Sequence, residues 1–163
     1  MEAERRFVEF RLEDGGALRG VAIRYGDVAR FGDFSERFEP GSLAYDDVIV
    51  NLMHRREAPV ARTGAGLELR NTDRELEARI TLPDTSYARE ARELIDARIL
   101  RGLSVEFLPS QERWEGKERV IERAKLVGIG LVDRPAYPDS TIAARMAEIA
   151  GQSAPVRRRR RAV

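Results

Sequence analysis

The chain of 163 residues contains no cysteine and a single histidine. Without cysteine it cannot form disulfides, a thiol nucleophile or a thiolate metal site, and this composition suits a reducing cytoplasm. With one histidine, the metal site that stays open is a carboxylate site for a hard cation. The sequence gives no positive sign of such a site, and we predict a protein that uses no metal and no other cofactor.

Long apolar runs are also missing. None approaches the roughly 18 residues of a membrane-spanning helix, and residues 1–6 lack the apolar core of a signal peptide. Charged residues make up 35% of the chain, yet the net charge is only +1, so the body as a whole is not expected to attract nucleic acid. We expect one domain over residues 1–150 that neither spans nor binds a membrane.

The carboxyl-terminal residues 151–163 differ from the rest. Residues 151–155 resemble a linker, and residues 157–161 are five consecutive arginines. Such a run cannot pack into a core and predicts a disordered tail. It is either a solvated end or an electrostatic contact for an acidic protein or nucleic acid, and the sequence favours neither.

Alternating apolar and polar residues predict a mainly β protein of the α+β class. Strands are predicted at residues 6–12, 17–25, 48–54, 67–70, 76–82, 101–108, 119–124 and 125–132. A short helix is predicted over 42–47, a longer one begins after Asp84 or Thr85 and carries apolar residues to Ile99, and a final one runs to about residue 150. Residues 6–12 and 17–25 are expected to form a hairpin around Asp14-Gly15-Gly16.

Residues 101–108 contain the first candidate for chemistry. If this stretch is a strand, one of its faces carries Leu103, Val105 and Phe107 and lies on a core. The other face carries Ser104 and Glu106 and stays accessible. Gly102, just before Ser104, permits a turn or the close approach of another chain. A strand serine on a solvated face is the more common explanation of this pattern. The functional interpretation makes Ser104 a nucleophile.

His54 ends an apolar run over residues 48–53 that is typical of a buried strand. A strand end fixes the backbone while the side chain stays accessible, so functional residues often lie there. His54 is either a half-buried histidine bonded to a neighbour or the base that activates Ser104. Gly128 and Gly130 share one face of a later strand and predict a shallow groove in which another strand or a peptide lies close.

The order of these motifs resembles the prohead serine protease family of tailed phages and gene-transfer agents, related in fold to herpesvirus assembly proteases. The resemblance covers about residues 18–144 and rests on Glu39-Pro40-Gly41, the strand ending in His54, the helix, residues 102–107 and residues 131–136. It implies a small closed or nearly closed antiparallel β-barrel flanked by helices.

The resemblance also implies an activity. The protein would be a serine endopeptidase inside the immature capsid, in the host cytoplasm, that processes the major capsid protein or scaffold and also itself. Ser104 would attack the scissile carbonyl and His54 would carry the proton. The backbone N–H of Arg134 would bind the oxyanion, since Pro135 has no N–H. The herpesvirus relatives act as dimers, so a homodimer is one candidate assembly.

The third catalytic residue departs from the family pattern, because the herpesvirus relatives use a second histidine. Asp133 ends the appropriate strand, although strict alternation turns it away from the glycine face. Glu106 shares the face of Ser104 but lies two residues along the strand, roughly 7 Å away. We rank Asp133 first, followed by a dyad of Ser104 and His54 alone.

Two other classes of function stay open. A capsid assembly factor would keep the fold without proteolysis, and the missing third catalytic residue favours it. A nucleic-acid-binding module would act through the arginine tail.

Overall fold

The computed structural model describes residues 3–133, which form one twelve-stranded sheet and one helix. The predicted final helix, Arg134 and the arginine tail lie outside the described residues. Within the described part, no helix is long and apolar enough to cross a membrane.

The elements follow one another along the chain with short connections. The strands are β1 (Glu4–Glu9), β2 (Arg11–Leu12), β3 (Leu18–Arg24), β4 (Ala29–Phe31), β5 (Phe34–Phe38), β6 (Leu43–Ala44), β7 (Ile49–Leu52), β8 (Pro59–Thr63), β9 (Gly66–Asn71), β10 (Glu75–Ile80), β11 (Gly102–Glu115) and β12 (Glu118–Val132). The helix α1 (Ser86–Asp96) lies between β10 and β11.

The long hairpin of β11 and β12 organises the sheet. The strand order is β1-β11-β12-β7-β8-β9-β10-β3-β2, and the short strands β5 and β6 also pair with β12. β11 therefore has β1 on one side and β12 on the other, and β7 is the next strand beyond β12. This order places the strand of Ser104 and the strand before His54 on either side of β12.

The apolar side chains of β11 lie in the core, as their alternation predicts. Leu103 and Val105 are completely buried and Phe107 is 1% exposed. Burying a side chain of this size contributes about 1.5–3 kcal/mol. Since Leu103 and Val105 point into the core, the side chain of Ser104 between them is held on the opposite face.

The predicted closed or nearly closed barrel is wrong. The sheet is a curled, open half-barrel, mostly β, and residues 3–133 contain one flanking helix rather than several. The sheet path ends at β1 and β2, which do not pair with each other. It is also not purely antiparallel, because β12 runs parallel to β5, β6 and β7.

Four local predictions also differ from the structure. Residues 43–44 form strand β6 beside β12 instead of belonging to a helix. Helix α1 ends at Asp96, so Ile99 is 53% exposed and not part of its packing face. Of the expected first hairpin, only β2 pairs with β3, because β11 takes β1 as its partner. Residues 118–132 form one strand rather than two.

Candidate active site

A tight reversal after β7 positions His54. Both Met53 (φ 53°) and His54 (φ 57°) adopt the left-handed conformation, which is uncommon for residues with a side chain. The backbone N–H of Met53 donates to the carbonyl of Leu131 (2.8 Å), and that of Arg55 donates to the carbonyl of Leu52 (3.0 Å). These hydrogen bonds stabilise a strained turn, and strain of this kind is often found at functional sites.

The turn places the imidazole of His54 against Gly130. A Cβ at residue 130 would lie 2.5–2.7 Å from three atoms of the ring, which is too close for any real side chain. Gly130 is also the direct partner of Ser104 in the pairing of β11 with β12. Directly opposed residues of antiparallel strands share a face, with their Cβ positions about 4.5–5.5 Å apart. The imidazole therefore lies on the face of the sheet that carries the Ser104 side chain, opposite the core.

Ser104 is less accessible than its position on the outer face predicts. Its exposed fraction is only 7%, because β1 and β12 flank it on either side and neighbouring side chains cover it. The predicted groove over Gly128 and Gly130 is likewise filled from within the chain. His54 occupies the space above Gly130, and Glu106 lies above Gly128, 3.7 Å from where a Cβ would be.

The carboxylate that meets His54 is that of Glu106. Its Oε1 is in contact with Nδ1 of the imidazole, and Nε of Arg5 lies 3.6 Å from the same oxygen. The His54 and Glu106 side chains are 14% and 20% exposed. The contact with His54 holds the pKa of the Glu106 carboxyl below its ordinary value, Arg5 and Arg56 lower it further, and together these effects outweigh burial. Glu106 is therefore an anion at neutral pH.

The second ring nitrogen of His54, Nε2, is the one that does not contact Glu106. Like Nδ1, it is buried and makes no hydrogen bond of regular geometry within residues 3–133. A ring nitrogen next to a serine hydroxyl can accept its proton, and such hydrogen bonds are often long in the absence of substrate. Ser104, His54 and Glu106 thus share one face of the sheet, and the carboxylate of Glu106 is in contact with the imidazole.

Glu106 reaches His54 for a geometric reason that its spacing from Ser104 does not show. The third residue of a triad must reach the histidine rather than the serine, and an imidazole lying across the strands can contact a carboxylate two residues from Ser104. The signal was present in the sequence, since alternation alone places Glu106 on the face of Ser104.

Asp133, the residue ranked first for the third role, is exposed at the end of the described chain. Within residues 3–133, the carboxylate that contacts His54 is that of Glu106. The role of Arg134 in binding the oxyanion falls outside the described residues and stays a prediction. No cluster of three or more metal-ligating side chains occurs within residues 3–133.

Comparison with known proteins identifies the family of the chain. The family model of the caudovirus prohead serine protease matches residues 2–153. No curated protein and no solved structure matches the chain. Because the family model covers nearly the whole chain, this protein belongs to the caudovirus prohead serine protease family.

Proposed function

We propose that this protein is a serine endopeptidase that cleaves the major capsid protein or the scaffold, and also itself, inside the immature capsid. Membership of the prohead protease family supports the reaction class and the setting. The observation that carries the catalytic assignment is the position of the His54 ring, which contacts Glu106 and lies over Gly130, the strand partner of Ser104.

In the proposed reaction, the Ser104 hydroxyl attacks the scissile carbonyl and His54 Nε2 accepts its proton. Glu106, an anion in contact with Nδ1, selects the tautomer with its proton on Nδ1 and stabilises the imidazolium that forms. His54 then protonates the leaving amine as the C–N bond breaks. Water hydrolyses the resulting ester of Ser104, with His54 acting again as the base.

Glu106 takes the role for which Asp133 was ranked first, because its carboxylate contacts the imidazole. This contact also weakens the case for an inactive assembly factor, which depended on the lack of a third catalytic group. The backbone of Arg134 remains the proposed oxyanion donor.

Co-expression with the capsid protein encoded beside it tests the proposal, with the masses of both proteins measured afterwards. We expect the wild type to shorten the capsid protein and Ser104→Ala to leave it at full length. Ser110→Ala is the matched control, because Ser110 lies on the same strand but is exposed and bonded to the carbonyl of Arg123. Processing by Ser104→Ala would refute the assignment.

The same experiment separates the other two classes of function. An assembly factor would support normal particles with unprocessed subunits when His54 is changed to Ala. A nucleic-acid-binding module would show salt-sensitive binding that is lost when the residues after Pro155 are removed, and it would cleave nothing.

A further inference from the structure

The amino-terminal strand contributes an aromatic side chain beside the proposed nucleophile. In the antiparallel pairing of β1 with β11, Phe7 is directly opposite Ser104. The two side chains therefore project from the same face, with Cβ atoms about 4.5–5.5 Å apart. The ring of Phe7 is partly buried and leans along β11 over Gly102.

Gly102 makes room for this ring. A Cβ at residue 102 would overlap ring atoms of Phe7 and would lie 2.8 Å from the carbonyl oxygen of Val8. The sequence predicted that Gly102 permits a turn or the close approach of another chain, and the group that lies close to it is the aromatic ring of Phe7. Any larger residue at 102 would push the ring away from its place beside Ser104.

Ser104 consequently has two chemically different neighbours. On the β12 side lies the imidazole of His54 over Gly130, and on the β1 side lies the apolar ring of Phe7 over Gly102. Since both flanking strands are hydrogen-bonded to β11, neither can move away without breaking the ladder. A substrate must therefore lie across the sheet face, between these two side chains.

The chemistry orients the substrate in this space. His54 gives its proton to the leaving amine, so the amine departs on the side of His54. The acyl part of the substrate stays bonded to Ser104. The side chain of the residue that supplies the scissile carbonyl then lies on the side of Ser104 away from His54, against Phe7. We propose that Phe7 is a specificity-determining residue, the wall of the subsite for the residue on the acyl side of the scissile bond, and that it selects an apolar side chain there. This inference rests on the proposed protease function.

A peptide library made by digesting a bacterial proteome tests the inference, with cleavage sites of the full-length protein read by mass spectrometry. We expect wild-type cleavage to follow apolar residues, and we expect the ratio of cleavage after large apolar residues to cleavage after Gly or Ala to fall about tenfold in Phe7→Ala. Phe7→Leu, which keeps an apolar wall, should retain an intermediate ratio. Phe34→Ala, which removes a partly buried ring that packs against the rings of Phe31 and Trp114, should leave the ratio unchanged.

The ratio distinguishes a specificity role from a structural one, because damage to the fold lowers cleavage of all sites together. Thermal unfolding of each variant checks the fold, and Phe7→Leu serves if Phe7→Ala does not fold. An unchanged ratio in a folded, active Phe7 variant would overturn this inference alone. A wild-type protein that cleaves neither the library nor the capsid protein would overturn the proposed function, and this inference with it.

Discussion

The imidazole of His54 lies against the Cα of Gly130 in the space that any other residue at 130 would need for its Cβ. Gly130 is therefore part of the site. Because it has no side chain, the imidazole of His54, from the loop after β7, can lie over the residue that pairs with Ser104. Gly128, two residues away on the same face, provides a comparison. A Cβ there would make only ordinary contacts, 3.7–3.8 Å from Glu106 and the carbonyl of Ile49.

Gly130→Ala should therefore abolish most activity without unfolding the protein. The added methyl group would displace His54, and a displacement of about 1 Å of a catalytic group can cost about 100-fold in rate. Gly128→Ala should change the rate little. Cleavage rates and thermal unfolding of both variants check this prediction, and equal activity of the two would contradict the placement of His54.

Glu106→Gln tests the orienting carboxylate. The amide keeps the shape of the side chain but loses the charge that stabilises the imidazolium, and replacing such a carboxylate can lower kcat by about 10⁴-fold. Asp133→Asn is the matched variant, and we expect nearly wild-type kcat from it. The reverse order of effects would restore Asp133 to the third role. Equal and small effects would favour a dyad of Ser104 and His54.

Glu36→Gln should strongly destabilise the fold. Glu36 is 2% exposed and accepts two hydrogen bonds from Arg6, at 2.9 and 2.7 Å, and one from Arg119, at 3.1 Å. Removing its charge leaves the buried Arg6 guanidinium with Glu4 as its remaining carboxylate partner, at 3.1 Å, and breaking a buried pair costs about 3–5 kcal/mol. Chemical denaturation measures the loss.

The matched control for this prediction is an exposed ion pair. Lys125 and Asp46 form one at 2.7 Å, with side chains that are 53% and 81% exposed. Solvent screens such a pair, so Asp46→Asn should leave stability almost unchanged. A similar loss in the two variants would show that burial is not the cause.

Acid should weaken the attachment of β1 through Glu4. Burial raises the pKa of the Glu4 carboxyl, but the hydrogen bond and charge of Arg119, assisted by Arg6, outweigh it, so the pKa lies below the ordinary 4.5. A lowered pKa in the folded state means that the stabilisation is present above pH 4.5 and is lost as the pH falls through the folded value.

Unfolding free energies measured from about pH 6 down to about pH 3 test this dependence. The wild type should lose more stability over this interval than Glu4→Gln, which cannot titrate at this position. An identical pH dependence of the two proteins would show that Glu4 is not held as an anion by Arg119.

Much of the site could be predicted from local pattern. Alternation around Ser104 correctly placed Leu103, Val105 and Phe107 in the core and put Glu106 on the serine face, because strand side chains alternate wherever one face is buried. The apolar run before His54 correctly predicted a strand ending near it. Neither pattern could show that Ser104 is nearly buried, since the groups that cover it come from other parts of the chain.

The sequence by itself determined which chemistries were available: no thiol, one imidazole, and a serine and a glutamate on one strand face. Only the tertiary structure decided which carboxylate meets the imidazole, that the half-barrel stays open, and that Phe7 lies opposite Ser104. These features depend on the pairing and register of strands far apart in the chain, and a shift of one residue would turn each of these side chains to the other face. Local pattern specifies a face, but long-range pairing specifies the neighbours.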